Sequence, residues 1–203
     1  YDGGMLGAGI HNIGVIQKPL EFAILPMYGF GSNDLAGLGT VRYLHSWPSA
    51  TIQGIDLGLN FRRFNFDEPP ILDNQHLSYD RFNPFVRINF VPRSGTPNHS
   101  HLRVEAVHLR HEDVAITDNP EQFASDMETN TLYRLGYFWQ KDHAIQPIDF
   151  WAELEYQDFE FKDFNANEYL KLSAKANKQF QFKKGKFISA SLFASYFIMN
   201  DAR

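Results

Sequence analysis

Apolar and polar residues alternate along most of this chain with a period of two. Between Ile55 and Phe61 the odd positions are apolar and the even positions are small or polar, and the run from Ile188 to Ile198 repeats the pattern. Such alternation is typical of strands with one apolar face. No stretch of comparable length follows helical spacing, so we expect an all-β protein. The strands are expected near residues 5–14, 20–30, 36–45, 50–64, 78–92, 101–111, 130–141, 148–161, 168–182 and 186–199.

The length of these strands favours a membrane barrel. Most strands in soluble sheets have about five or six residues, whereas a tilted strand needs about 9–11 to cross a bilayer. Two long polar joins, Asn65–Leu77 and Glu112–Thr129, fall on the same side of an antiparallel meander, and short turns fall on the other. We therefore expect an antiparallel up-and-down meander of about ten long strands, forming most of an outer-membrane-type β-barrel with long loops outside and short turns in the periplasm.

The ends of this meander suggest additional strands. With short turns in the periplasm, the first strand begins outside and the tenth strand ends outside. One more strand at each end would give an intact barrel of about twelve, the even number expected of bacterial barrels. Residues 1–203 would then be a single domain cut from a larger protein.

The stretch from Tyr28 to Gly39 combines aromatic residues and glycines around one short turn, Ser32-Asn33-Asp34. Glycines in a strand allow a neighbouring ring to lie against bare backbone. In a barrel, Tyr28 and Phe30 would belong to an aromatic girdle at the membrane–water interface. In a soluble sandwich the same residues would pack in the core.

Composition excludes some functions. The net charge of -5 argues against nucleic-acid binding, which needs clustered Lys and Arg. The absence of cysteine removes thiolate metal sites and nucleophiles. No apolar run reaches the length of about 18 residues that a membrane-spanning helix requires. A β-barrel needs no such run, because its strands alternate apolar and polar residues. We therefore expect membrane lipid as a partner from the strand pattern, and the charge excludes nucleic acid.

Four histidines lie close together in the sequence and are the metal-ligand candidates: His99, His101, His108 and His111. Zinc requires three or four ligands, and Glu105 or Glu112 could complete a set. A polar turn and strand face explains the same residues without a metal. His111-Glu112 also begins like a zinc-peptidase helix motif, but Ala115 stands where the second histidine is required. We therefore expect no cofactor and no metal in this segment.

Acidic residues offer two further hypotheses. Glu153 and Glu155, with Glu160 and Asp163 beyond them, resemble paired glycosidase acids. A solvated strand face balanced by Lys171 and Lys175 of the neighbouring strand is the simpler interpretation. The loops containing Asp67-Glu68-Pro69-Pro70 and Asp118-Asn119-Pro120-Glu121 could bind calcium weakly, or could simply be solvated. We assign no catalytic residue.

Four segments carry a resemblance to a known family: residues 1–12, 20–43, 52–66 and 93–109, of which the string "YGFGSNDLAGLG" is the most specific part. They resemble the C-terminal region of gluzincin metallopeptidases of Gram-negative bacteria, relatives of aminopeptidase N. The resemblance implies an upstream domain in which a His-Glu-x-x-His helix and a distal Glu hold zinc. None of those zinc ligands has a counterpart in this sequence, so this segment would anchor or position the peptidase at the outer membrane.

Two other functions remain open. A soluble β-barrel or sandwich could bind a ligand or a partner, with Trp139, Trp151 and Tyr156 lining a pocket. A porin-like channel is the second alternative, and the bulky side chains of Phe138, Trp151 and Phe193 in its lumen would argue against an open pore.

Overall fold

The computed structural model describes residues 3–47, 51–67, 77–92, 98–116, 123–142, 146–161 and 164–200. Within these ranges the chain contains only strands and connections, so the prediction of an all-β fold is confirmed. Eleven strands are present: β1 (Met5–Gly7), β2 (Ile10–His11), β3 (Leu20–Gly29), β4 (Asp34–Ser46), β5 (Ile52–Asp67), β6 (Leu77–Phe90), β7 (Asn98–Ile116), β8 (Phe123–Lys141), β9 (Ile148–Phe161), β10 (Phe164–Lys183) and β11 (Lys186–Asn200).

All strands belong to one antiparallel sheet, in which each strand from β3 to β11 pairs with the next along the chain. The predicted up-and-down meander is therefore confirmed. Both β1 and β2 pair with β3, and β11 forms the opposite edge. In the described part of the chain these two edges are not paired with each other, so the sheet is open.

The predicted first strand is divided in two. Both β1 and β2 follow the same register against β3, from Met5 opposite Gly29 to His11 opposite Ala23. The gap between them lies opposite Pro26, whose carbonyl accepts a hydrogen bond from Ala8 N–H at 3.2 Å. Proline has no N–H to return that bond, which explains the interruption of the ladder.

The long join predicted over Glu112–Thr129 is wrong. Instead, β7 continues to Ile116, and β8 begins at Phe123 directly opposite it. The hairpin is built from paired strands of 19 residues each. Between β5 and β6 the connection runs only from 68 to 76, because β5 extends to Asp67. The calcium-loop hypotheses concern residues that lie almost entirely outside the described ranges.

The two faces of the sheet differ in polarity and exposure. On the face that we call the inner face, Asn83 and Glu155 are only 4% and 5% exposed. On the outer face, Val104 and Leu172 are 50% and 45% exposed. A single-layered sheet can cover one face in this way only by curling around it, so the polar face is enclosed and the apolar face is outside.

Candidate functional site

A continuous apolar row crosses the outer face along the strand register. Each member is the register partner of the next, from β3 to β11, and every one is aliphatic or tyrosine. We call this set the outer row: Leu20, Tyr43, Leu57, Val86, Val104, Leu135, Leu154, Leu172 and Tyr196. Because side chains on a strand alternate between faces, this chemistry is confined to one face of the sheet.

At the position next to the outer row on each strand, a second row lies on the inner face and carries charge. We call it the inner row: Glu21, Arg42, Gly58, Phe85, Glu105, Arg134, Glu155, Lys171 and Phe197. A shift of one residue in register would place these charges on the exposed face. The two rows therefore fix the register of the whole sheet.

Ion pairs link the inner row between neighbouring strands. Arg134 donates through Nε to Glu155 at 2.9 Å, and its Nη1 lies 3.5 Å from Glu105. Glu155 also accepts hydrogen bonds from Lys171 and from the Tyr169 hydroxyl. The expected balance of acids by lysines is thus confirmed for Lys171, whereas Lys175 lies opposite Trp151 instead of a glutamate.

A parallel set of contacts surrounds Asp56 on β5. Arg42 Nη2 lies 3.3 Å and Arg87 Nη1 lies 3.6 Å from the same carboxylate oxygen, and Asn89 donates to the other oxygen at 3.4 Å. Arg103 pairs with Glu105. Glu105, Glu153 and Glu155 are thus all engaged with arginine or lysine, which favours a structural role over the glycosidase hypothesis.

The four candidate histidines are separated by the strand geometry. His108 is on the outer face, where it hydrogen-bonds Thr131 at 2.9 Å. His101 and His111 are on the inner face, where one stacks on Phe138 and the other lies 3.1 Å from Glu128. His99 is at the beginning of β7, 3.2 Å from Asp142.

The two glutamates suggested as further metal ligands have other partners. Glu105 pairs with arginines, and Glu112 accepts the Ser78 amide at 2.9 Å. Among the residues described, no group of three His, Asp or Glu side chains is arranged to hold a metal.

The glycines near the first turn have the predicted function. A Cβ placed on Gly39 would lie 2.3 Å from the Phe61 ring, so this ring rests on bare backbone. Gly58 has the same relationship with Phe85 on the inner face. At the turn itself, Asn33 takes a φ of 51°, and its side chain accepts a bond from the Tyr28 hydroxyl at 3.1 Å.

The aromatic residues proposed to line one pocket do not meet. Trp139 and Tyr156 are on the outer face, and Trp151 is on the inner face opposite Phe138. Tyr156 stacks on Tyr133 with 6.3 Å between ring centroids and lines a shallow apolar groove of about 450 Å³ on the outer face. Sequence reasoning also missed the clustering of Arg42 and Arg87 around Asp56, because it depends on register between three strands.

No helix in the described ranges is long and apolar enough to cross a membrane. No protein-family model, curated protein or solved structure matches this chain.

Proposed function

We propose that this segment forms the wall of a β-barrel in the outer membrane of a Gram-negative bacterium and anchors or positions an upstream zinc aminopeptidase domain. The observation that carries the membrane part is the outer row. A soluble protein rarely exposes so extended an apolar surface. An unbroken row of aliphatic and tyrosine side chains across nine strands is instead what lipid contact requires.

The height of the apolar surface supports this proposal. On β8 the outer-face positions between Thr131 and Lys141 are Tyr133, Leu135, Tyr137 and Trp139. Thr131 and Lys141 are the polar residues that bound this stretch, and nine residues lie between them. On β10, nine residues likewise lie between the polar outer-face residues Glu168 and Lys178. At about 3.3 Å per residue and a tilt of about 40°, nine residues span roughly 23 Å, close to the band of about 25 Å found in such barrels.

Aromatic residues occur at both ends of this band. Tyr133 and Tyr156 are register partners near the end marked by Thr131, and Trp139 and Phe150 are partners near the end marked by Lys141. Rings at these two levels match the aromatic girdles that flank the hydrocarbon region. Between the two pairs lie Leu135 and Leu154.

The open edges suggest additional strand pairing. Every residue of β11 except Met199 is exposed, whichever face its side chain is on. From Phe187 to Met199 this edge strand contains no charged residue and no proline. Natural proteins use charged residues and proline to protect exposed edge strands from further pairing. In lipid, unpaired backbone groups find no hydrogen-bond partner. A barrel of about twelve strands would satisfy this edge.

The tryptophans provide the test of the membrane part, because Trp139 lies outside and Trp151 lies inside. In vesicles containing lipids brominated on the acyl chain, a W47F/W151F variant should lose most of its fluorescence. A matched W47F/W139F variant should lose little. Equal quenching of the two variants, or a monodisperse chain in solution without detergent, would contradict the proposal and favour the soluble β-barrel or sandwich.

The peptidase part rests on the sequence resemblance. Zinc would belong to the upstream domain, and this segment would contribute no ligand to it. Expression of the complete natural protein should place zinc-dependent aminopeptidase activity in the outer-membrane fraction. Deletion of residues 1–203 should release this activity in soluble form, and activity that stays in the membrane fraction after the deletion would refute the anchoring role.

The charged inner face also fits a channel lining, which makes a porin the second candidate. Bulky residues occupy one inner-face register row: His101, Phe138, Trp151, Lys175 and Phe193. Because these bulky side chains lie on the inner face of the curled sheet, we expect a closed barrel. Stable conductance steps in a planar bilayer would favour the channel instead.

A further inference from the structure

Two inner-face arginines lie directly opposite each other without an acidic partner among the residues that the structure describes. Arg62 on β5 and Arg81 on β6 are register partners on the face that carries Asp56 and Asn60. Like charges at directly opposite positions destabilise a pair of strands. A negatively charged group between the two guanidinium groups would relieve this repulsion.

The other inner-face arginines of this region show the contrast. Arg42 and Arg87 share Asp56, and Arg103 pairs with Glu105. For Arg62 and Arg81, no carboxylate of the described residues lies within the 4.0 Å of an ion pair. The guanidinium carbon of Arg62 instead lies over the Phe64 ring, 6.0 Å from its centroid.

The two arginines line a cavity that also contains neutral polar groups. The cavity has a volume of about 330 Å³, and its polar lining consists of Thr40, Asn60, Arg62, Arg81 and Asn83. Within the described ranges, no acidic side chain lines it. Asn60 donates to Asn83 at 3.4 Å, and Asn83 donates to the Ala106 carbonyl at 3.1 Å, so the floor of the cavity is held by hydrogen bonds between strands.

We propose that this cavity binds a small oxyanion, a phosphate or a carboxylate, between Arg62 and Arg81. Each guanidinium presents a planar pair of N–H donors that matches two oxygens of such a group. The two neighbouring arginines would neutralise its charge, and the Thr40 hydroxyl, which also lines the cavity, can donate a further hydrogen bond.

Calorimetric titration of the refolded chain in detergent micelles tests the proposal. Inorganic phosphate and acetate are titrated separately at constant ionic strength, so that the two sources of oxyanion are distinguished. Saturable binding of at least one of them is expected. Arg62→Gln and Arg81→Gln should each weaken it at least tenfold, whereas Arg62→Lys, which keeps the charge but loses the planar pair of donors, should weaken it less.

Arg42→Gln is the matched control, because this inner-face arginine already pairs with Asp56. Its oxyanion affinity should stay within about twofold of the parent chain. Absence of saturable heat with both anions would overturn the proposal, and so would binding that survives Arg62→Gln and Arg81→Gln. The assay does not depend on lipid insertion, so its outcome is independent of the membrane proposal.

Discussion

Arg134 on β8 and Glu155 on β9 face each other across the inner face, 2.9 Å apart from Nε to Oε2. Their immediate neighbours Leu135 and Leu154 are also register partners, but they lie on the exposed outer face. A single step along each strand thus changes the environment from an enclosed ion pair to an apolar surface. This alternation is the physical basis of both the fold and the proposed function.

Substitution of Glu155 should destabilise the sheet more than substitution of its neighbour Glu153. Glu155→Gln removes the charge that accepts from Arg134, Lys171 and Tyr169 and leaves cationic donors with a weaker acceptor. We expect a loss of about 1–3 kcal/mol in the free energy of unfolding, measured by urea titration in micelles. Glu153 lies 3.8 Å from Arg134 and should matter less. Equal losses would show that the Glu155 contacts contribute nothing specific.

Placing a charge on the outer row should destabilise the protein in lipid. Leu57→Arg puts a guanidinium on the outer row, where the cost is about 2–4 kcal/mol if that face contacts the bilayer midplane. Lys171→Ala on the inner face should cost much less, because Glu155 keeps Arg134 and Tyr169 as donors. Urea unfolding in phospholipid vesicles provides the comparison, and similar tolerance of both variants would mean that the inside–outside assignment is wrong.

The sequence predicted the strands because their outer faces are apolar. From Leu102 to Ala106 the period of two is clear, and β7 was located correctly there. At His108, Arg110 and Glu112 the outer-face positions are polar, so the hydrophobic pattern is interrupted although the backbone pairing continues as far as Ile116. The polar composition of these residues therefore predicts a loop, whereas the paired strands of the hairpin extend past the apolar band.

The candidate site could be predicted only in part. Alternation placed Glu155 and Lys171 on the inner face, and their pairing followed from adjacent strands. The opposition of Arg62 and Arg81 depends on the register between β5 and β6. Alternation gives the face on which each side chain lies but does not say which residues of two neighbouring strands are opposite each other, so the sequence alone could not bring these two arginines together.

The pKa of Asp34 should depend on Arg63 at the end of the first long hairpin. Burial acts to raise the pKa of this carboxyl, but the Leu35 amide and the Arg63 guanidinium, 3.0 Å away, outweigh it and hold the pKa below its usual range. The ionised form therefore stabilises the fold above the ordinary pKa, and this contribution is lost as the pH falls through the lowered value.

Arg63→Gln should accordingly raise the pKa of Asp34 toward its ordinary value. The measurement is a carboxyl-carbon NMR titration in micelles. Arg110→Gln, which removes an arginine that contacts Met127 instead, is the control and should leave the titration of Asp34 unchanged. An unchanged Asp34 titration in Arg63→Gln would show that the ion pair is not formed in solution.

Adding a methyl group at Gly58 should disturb the inner face more than adding one at Gly136. A Cβ on Gly58 would lie 2.3 Å from Cζ of Phe85. This ring is only 7% exposed and has the Arg103 guanidinium 4.5 Å from its centroid, so it has little room to move away. Overpacking of this kind costs about 1–3 kcal/mol, which urea unfolding in micelles can resolve.

Gly136, also on the inner face, is the matched control for Gly58. The nearest atom to a Cβ at Gly136 would be 3.8 Å away, an ordinary contact distance. Gly136→Ala should therefore be neutral or stabilise by about 0.4–1 kcal/mol through the unfolded chain. Combining Gly58→Ala with Phe85→Leu should recover part of the lost stability, because the shorter side chain vacates the space above the strand. If Gly58→Ala and Gly136→Ala behave alike, the Phe85 ring is not held against the backbone of Gly58.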